Sequence, residues 1–246
     1  MLLHLGSLDG GDQAMELAVA HALVRRASAG EVGEVLRLYR PSAPVAVFGR
    51  RDTHRPGFSQ AVNAAERAGF ATAIRATGGR AVAYTGRSIV VDHVMPDPDA
   101  VAGLEDRFVR FGALLAHALC ELGVDARVGA VPGEYCPGEH SVNARGTVKL
   151  IGTAQRAIKG AWLFSSLVVV ADHLRLRPLL TEVYRHLELP FDDASVGSLT
   201  GEQPTLTVDA VEGALLEAFR VAGTAPAMLE PGTLALAEHI VTQHRI

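Results

Sequence analysis

The chain has 246 residues, of which 48% are hydrophobic and 20% are charged, and its formal net charge is −4. This length and apolar fraction allow a packed core and exclude a disordered chain, and the absence of a Gly-x-y period excludes a collagen-like one. The slight negative charge gives no electrostatic reason to expect nucleic-acid or anionic-lipid binding, and two cysteines are too few for a disulfide framework.

Apolar spacing and turn residues predict alternating helices and strands in the first half of the chain. Asp12 can cap a helix that ends near Gly30. Leucine and phenylalanine at helical spacing predict a long amphipathic helix over 103–123. The other predicted elements here are a helix over 59–68 and strands over 35–39, 45–48, 71–75, 81–84 and 88–94.

The second half is predicted to be rich in strands and then helical. After a strand over 125–130, two hairpins pair 141–143 with 148–151 and 154–158 with 161–170. Helices are predicted over 174–187, 207–222 and 232–243, and the Pro-, Gly- and Ser-containing segment 188–206 as a linker or surface loop. This order predicts an α+β fold of mixed, largely antiparallel sheets with flanking helices. We expect a catalytic domain over 1–173 and a small C-terminal helical extension over 174–246 packed on it.

The sequence gives no sign of a membrane segment or of export. No run reaches the roughly 18 consecutive apolar residues of a transmembrane helix. The N-terminus has no basic region of the kind that opens a signal peptide. We therefore expect a soluble, cytoplasmic protein that acts as a monomer without nucleic-acid or membrane partners.

Cys136 lies in a loop, VPGEYCPG, whose prolines restrict the backbone. A cysteine without chemical function is usually buried on a helix or strand, whereas this loop presents its sulfur at a fixed position. The residues alone leave Cys136 open as a structural cysteine or a nucleophile. Cys120, on the predicted helix 103–123 and away from its main apolar face, is interpreted as structural.

The 23 basic residues include only two lysines, Lys149 and Lys159. A lysine retained in such an arginine-rich chain indicates a position that needs a compact ammonium rather than a planar guanidinium. Lys159 lies in a Lys-Gly turn, where a solvated lysine is the simplest interpretation. Lys149 lies inside an apolar strand, where a lysine must pair, reach solvent or take part in chemistry, and we favour a functional role.

Three other features each allow two interpretations. The glycines of RATGGR, residues 75–80, could bring backbone N–H groups close to a ligand or form an ordinary β-turn. His93 and His140 could act as bases, although a structural histidine is the simpler interpretation of both. No group of Cys, His, Asp or Glu has metal-ligand spacing, and there is no Walker-type phosphate loop, so no metal site is expected.

Together these motifs resemble the lipoate–protein ligase and octanoyltransferase superfamily, which shares its fold with biotin–protein ligases. The resemblance covers roughly residues 10–172 and is most specific in EYCPG followed by KxxGxxQR. It is most similar to the cysteine-dependent amidotransferases that move an octanoyl group from the glycine cleavage H protein to other lipoyl domains. In that branch the loop cysteine carries the acyl group, which corresponds to Cys136, and the superfamily's lysine corresponds to Lys149.

The resemblance implies acyl transfer through a Cys136 thioester onto a lysine of a lipoyl domain, with an octanoyl or lipoyl group and no required cofactor. An ammonium beside a thiol favours the nucleophilic thiolate, and we expect this role for Lys149. Burying about six methylenes at roughly 0.8 kcal/mol each contributes about 5 kcal/mol to binding a medium chain. The residues expected to bind the acyl group are Arg75, Gly78, Gly79, Gly152, Thr153 and Ala154.

The expected partners are the glycine cleavage H protein and the lipoyl domains of 2-oxoacid dehydrogenase subunits. One alternative is an ATP-dependent lipoate–protein ligase, which would use ATP and magnesium to form an acyl-adenylate. Another is a non-catalytic binder of lipoyl domains. Cys136 argues against both alternatives, because neither needs a thiol in a constrained loop. The sequence leaves open the acyl donor, the acceptor protein and the role of the C-terminal extension.

Overall fold

The computed structural model describes residues 1–246 as ten strands and seven α-helices. The strands are β1 (Leu2–Leu5), β2 (Val35–Tyr39), β3 (Val45–Phe48), β4 (Ala71–Ile74), β5 (Val82–Tyr84), β6 (Ser88–Pro96), β7 (Ala126–Val128), β8 (Val142–Ala144), β9 (Val148–Ile158) and β10 (Ala161–Val169). The helices are α1 (Gln13–Ser28), α2 (Phe58–Arg67), α3 (Leu104–Glu121), α4 (His173–His186), α5 (Leu199–Glu202), α6 (Val208–Ala218) and α7 (Pro231–Ile240).

The strands form a large sheet in the order β1-β2-β6-β10-β9-β8-β7 and a small sheet in the order β4-β3-β5. Only the β1–β2 and β3–β4 pairs are parallel, and all other neighbours are antiparallel. The predicted α+β class with mixed, largely antiparallel sheets is therefore confirmed. None of the helices combines the length and the apolar character needed to cross a membrane.

Helix α1 is the centre of the main core. The Asp12 carboxylate caps its first turn by accepting hydrogen bonds from the backbone N–H groups of Ala14 (2.9 Å) and Met15 (3.2 Å). The helix packs against β4, β6 and β10 on one side and α7 on the other. Helices α3 and α6 bury a second apolar cluster against the opposite face of the large sheet. The large sheet therefore lies between two apolar layers.

The C-terminal helices share the main core with the first part of the chain. Leu180 and Val183 of α4 and Ile240 of α7 are buried in one apolar cluster with α1 and the small sheet. A division into units at residue 173 stays a prediction, but the apolar core is continuous across that point.

Three details differ from the sequence-based expectations. The sequence predicts two strands, over 148–151 and 154–158. The structure has one strand over residues 148–158, because Gly152 stays extended and pairs with Leu167 of β10. Segment 188–206 is not a surface linker: Val196 and Leu199 are fully buried, and Val196 forms a bridge with Lys149 of β9. Strand β1, too short to give a pattern, was not predicted.

Candidate active site

The loop that carries Cys136 joins β7 to β8 and is held by a buried ion pair. Lys149 Nζ lies 3.2 Å from Glu134 Oε2 and donates hydrogen bonds to the carbonyl oxygens of Tyr135 (3.0 Å) and Cys136 (2.8 Å). The exposed side-chain fractions are 2% for Lys149 and 0% for Glu134. Buried charges are stable only with close partners. Lys149 therefore contacts the loop backbone and makes no hydrogen bond to the Cys136 sulfur, unlike the arrangement expected from the sequence.

Glu134 closes the same loop from inside. Its Oε1 accepts hydrogen bonds from the Gly138 N–H (3.0 Å) and the Ser141 hydroxyl (3.1 Å). Gly133, just before it, has φ +70°, and a Cβ there would lie 2.6 Å from the Cβ of Asp192. The loop is thus closed on itself by Glu134 and packed at Gly133 against the segment that precedes α5.

The sulfur of Cys136 faces the turn between β4 and β5. The Arg80 backbone N–H lies 3.2 Å from Sγ, and Nη2 of Arg75 lies 3.6 Å from it. Both groups are hydrogen-bond donors that contact the sulfur. Gly79 has φ +100°, and a Cβ there would lie 2.6 Å from both Sγ and Arg75 Nη2, whereas a Cβ at Gly78 would meet nothing within 4 Å. The turn therefore requires glycine at position 79.

Arg75 is held by backbone carbonyl oxygens and has no carboxylate partner. Its Nε donates to the Gly78 carbonyl oxygen (2.9 Å), Nη1 to that of Val47 (3.4 Å) and Nη2 to that of Arg80. These bonds fix the guanidinium, which is only 8% exposed, beside the sulfur. The positive group that forms a hydrogen bond with the thiol is thus the Arg75 guanidinium, which the sequence predicts only for the acyl site.

Tyr184 of α4 supports the backbone at the cysteine. Cys136 has φ +43°, a conformation that costs a non-glycine residue about 1–3 kcal/mol. Its N–H donates to Tyr184 Oη, which in turn donates to the Ala81 carbonyl oxygen (2.9 Å). Burial raises the pKa of Tyr184 well above its usual range, so the phenol stays neutral and can donate. Sequence reasoning missed Tyr184, because it lies outside every recognisable motif.

An apolar cavity of about 70 Å³ begins at Cys136 and extends under the turn. Its wall is mostly aliphatic. Most of this wall comes from α1 and strands of both sheets, including Leu17, Val47, Val82, Val90, Leu163 and Leu167. Such a slot excludes charged groups and accepts a slender hydrocarbon chain.

A second, more polar cavity of about 480 Å³ lies between the turn and α3. Both cavities include Cys136, so the sulfur lies at their junction. Four of the predicted acyl-binding residues line the apolar cavity: Arg75, Gly152, Thr153 and Ala154. The other two, Gly78 and Gly79, line only the polar cavity, because the turn presents them to its open side.

The two candidate histidines differ in setting. His93 is buried, lies 2.8 Å from Glu34 and has its pKa lowered by burial, as fits a structural residue. His140 lines the polar cavity, where its ring stacks on Phe108 and its Nε2 lies 2.9 Å from Glu105 Oε1. Neither histidine forms a hydrogen bond with the Cys136 sulfur.

Comparison with known proteins yields relatives along nearly the whole chain. The sequence model of the lipoyl protein ligase A/B catalytic domain matches residues 12–220. An octanoyl-[GcvH]:protein N-octanoyltransferase from Anoxybacillus flavithermus is 28% identical over 240 residues, covering 92% of this chain and 84% of the relative. The octanoyltransferase LipM from Kyrpidia tusciae is 30% identical over 259 residues, covering 96% of this chain and 91% of the relative.

Solved structures share the fold at lower identity. A lipoate-protein ligase A bound with ATP superposes with a TM-score of 0.77 at 22% identity, over 99% of this chain and 95% of that one. A putative lipoate protein ligase from T. acidophilum with bound lipoic acid gives 0.75 at 20% identity over the same shares. The match over residues 12–220, with relatives along the same length, means that the chain belongs to the lipoyl protein ligase A/B catalytic domain family.

Proposed function

We propose that the chain moves an octanoyl or lipoyl group from one carrier-protein lysine to another through a thioester on Cys136. Its family and its relatives, two of which are named octanoyltransferases, make it an enzyme of lipoyl or octanoyl transfer. The observation that carries the finer proposal is the position of the sulfur. It lies 3.2 Å from a backbone N–H and 3.6 Å from a guanidinium, where an apolar cavity meets a polar one.

In the first step the Cys136 thiolate attacks the carbonyl carbon of an acyl-lysine amide on the donor. The carbon–sulfur bond forms, the carbon–nitrogen bond breaks, and the donor lysine leaves as an amine after taking up a proton. The negative charge that develops on the carbonyl oxygen needs a donor close by. The Arg80 N–H and the Arg75 guanidinium, which border the sulfur, are suited to this role.

In the second step the neutral amine of an acceptor lysine attacks the thioester. The carbon–nitrogen bond forms, the carbon–sulfur bond breaks, and the thiolate is regenerated. The acceptor nitrogen releases one proton, which balances the proton taken up by the donor amine in the first step. One amide is exchanged for another, so the overall reaction needs no ATP, magnesium or other cofactor. The polar cavity offers the path by which each carrier lysine reaches the sulfur, while the acyl chain stays in the apolar cavity.

Lys149 acts in this scheme as a positioning residue. Its ammonium fixes the carbonyl oxygens of Tyr135 and Cys136, and its ion pair with Glu134 keeps the loop closed. The proposed donor is the glycine cleavage H protein, as in the name of the A. flavithermus relative, and the proposed acceptors are lipoyl domains of 2-oxoacid dehydrogenase subunits. Action as a cytoplasmic monomer is part of the same proposal.

Mass spectrometry of the intact chain tests this function. After incubation with octanoylated H protein, we expect the mass to rise by one octanoyl group that maps to Cys136. Cys136→Ala should lose the adduct, and Cys120→Ala, which changes the exposed cysteine of α3, should keep it. Full transfer by Cys136→Ser without an adduct would refute the thioester. Pyrophosphate release from octanoate and ATP by the Cys136→Ala chain would show a ligase instead.

A further inference from the structure

A carboxyl group without an ion pair lies in the wall of the apolar cavity. Asp92 of β6 is only 2% exposed and lines this cavity. It forms no ion pair with any Lys, Arg or His. Arg37, its register partner on β2, pairs with Glu16 of α1 instead. Burial raises the pKa of Asp92, which favours the neutral acid, a form that can donate a hydrogen bond.

Asp92 ends a row of three residues that crosses the wall of the cavity. Ser165 of β10 lies directly opposite Asp92 on one side and opposite Ala154 of β9 on the other. Directly opposite residues of antiparallel strands have their side chains on the same face of the sheet. Ala154 lines both cavities and Asp92 lines only the apolar one, so the row leads inward from their junction. Neighbouring strands lie about 4.8 Å apart, which makes the row roughly 10 Å long.

Strand β6 forms the inner end of the cavity. The next strand of the large sheet, β2, contributes no residue to the wall, whereas Val90 and Asp92 of β6 both line it. Three bonds of an extended backbone advance by about 3.6 Å, so the seven carbon–carbon bonds of an eight-carbon acyl group span roughly 8 Å. An acyl chain that is held at Cys136 and follows the row therefore brings its last carbons to Asp92.

The polar groups at this end give the cavity a preference among chains that reach them. A methyl end separates the Asp92 carboxyl and the Ser165 hydroxyl from water without replacing the hydrogen bonds that water makes. An oxygen at the same point accepts a hydrogen bond from the neutral acid, and a sulfur accepts a weaker one. A site that hydrogen-bonds a substrate group rejects the analogue that lacks it, because the buried polar groups of the site are then left unpaired.

We propose that Asp92, together with Ser165, is a specificity-determining residue that selects acyl chains with an oxygen or sulfur near the far end over plain alkyl chains. The lipoyl group belongs to this class through its two sulfurs, whereas the octanoyl group ends in a methyl and is the weaker ligand. This preference rests on the acyl cavity of the proposed function and not on the thioester, because it concerns binding alone.

The test compares two acyl-lysine amides whose chains have the same number of non-hydrogen atoms, Nε-(8-hydroxyoctanoyl)-lysine and Nε-nonanoyl-lysine. Calorimetric titration uses the full chain with Cys136→Ala, so that the amide is not consumed. We expect this chain to bind the hydroxyl-ended amide more tightly. Adding Asp92→Leu should lower the ratio of the two affinities at least tenfold. Asp92→Asn, whose amide still forms hydrogen bonds, should keep the ratio within about threefold.

Val90→Ala is the matched control, because it changes the cavity wall on the same strand without removing a polar group. Its ratio of affinities should stay within about twofold of the parent chain. Equal or tighter binding of the nonanoyl amide by the Cys136→Ala chain would overturn the proposal, and this result requires no folded Asp92 variant. Binding of neither amide, or an unchanged ratio in Asp92→Leu, would overturn it as well.

The same titration with lipoyl-lysine and octanoyl-lysine identifies the chain end. Tighter binding of lipoyl-lysine would support the site and assign it to sulfur-bearing chains. A preference for the hydroxyl-ended amide alone would support the site and assign it to oxygen-ended chains. The thioester can fail separately: if the wild type forms no adduct on Cys136 while the preference persists, the proposed transfer is refuted and the specificity of the cavity stands.

Discussion

Replacing Tyr184 by Phe tests whether the phenol hydroxyl holds Cys136 in its conformation. The change removes one hydrogen bond from the Cys136 N–H and one to the Ala81 carbonyl oxygen, while the ring stays. Ala81 is only 1% exposed, so its carbonyl has no access to water. A buried polar group without a partner costs about 1–3 kcal/mol. The Cys136 N–H is only half-buried and can bond to water instead, so most of the cost comes from the Ala81 carbonyl. We expect a loss of about 2 kcal/mol in the free energy of unfolding.

The same substitution should slow acylation of the cysteine. The hydroxyl helps to offset the strain of a left-handed φ at Cys136, which is about 1–3 kcal/mol. Losing about 1.4 kcal/mol of that support lowers the equilibrium constant for the correctly placed sulfur about tenfold. Urea unfolding gives the first effect, and single-turnover acylation followed by mass spectrometry gives the second.

The neighbouring tyrosine provides the matched control. Tyr135 is also buried, but its hydroxyl has no hydrogen-bond partner. Tyr135→Phe therefore removes no hydrogen bond and keeps the ring that Lys149 Nζ approaches at 4.9 Å. Because the variant loses a buried hydroxyl that has no partner, its unfolding free energy should not fall and should rise by up to about 1–3 kcal/mol. Equal effects of the two substitutions, or none from Tyr184→Phe, would refute the reasoning.

Two further predictions concern the turn and the pH dependence of stability. Gly79→Ala places a Cβ 2.6 Å from the Cys136 sulfur and should reduce the rate of acylation at least a hundredfold in the same assay. Gly78→Ala, whose Cβ meets nothing within 4 Å, is the control and should retain the wild-type rate. Equal rates in the two variants would contradict this geometry. Burial lowers the pKa of His21 to about 3, so the unfolded chain binds a proton below about pH 6.5 that the folded chain does not. His21 should thus lower the unfolding free energy by about 2 kcal/mol between pH 7 and pH 5, and urea unfolding of His21→Gln should show a correspondingly smaller fall. Burial raises the pKa of Asp92, which makes the folded state more stable as the pH falls and so opposes the effect of His21. If His21→Gln has the same pH dependence of stability as the wild type, His21 does not contribute to it.

Local signals in the sequence predicted most of the fold. The Asp12 cap and the apolar repeat gave α1, and the Lys-Gly turn gave the β9–β10 hairpin, in which Gly160 has φ +81°. Errors arose where tertiary contacts override local preference. Gly152 predicts a break in the strand, yet pairing of β9 with β8 and β10 on its two sides keeps the backbone extended.

The candidate site was predictable in its motifs and not in its contacts. The spacing of EYCPG and KxxG indicated that Cys136 and Lys149 belong together, and their segments do meet. The Lys149 ammonium pairs with Glu134. The spacing of the motifs does not indicate this pair. The Tyr184 hydroxyl reaches Cys136 from 48 residues away, and such a contact depends on how α4 packs. Pairings between distant segments are set by the whole fold, which local patterns do not encode.

The dependence of Cys136 on Tyr184 also orders events during synthesis. When the cysteine, the lysine and the turn have been synthesised, the phenol that holds the cysteine backbone has not yet been made. Chains begin to fold from the N-terminus during translation, so the nucleophile is completed only when α4 docks. A nascent or truncated chain that ends at residue 173 has the thiol but lacks the hydrogen bond that holds the Cys136 backbone. The nucleophile therefore reaches its active conformation only after the rest of the core has formed.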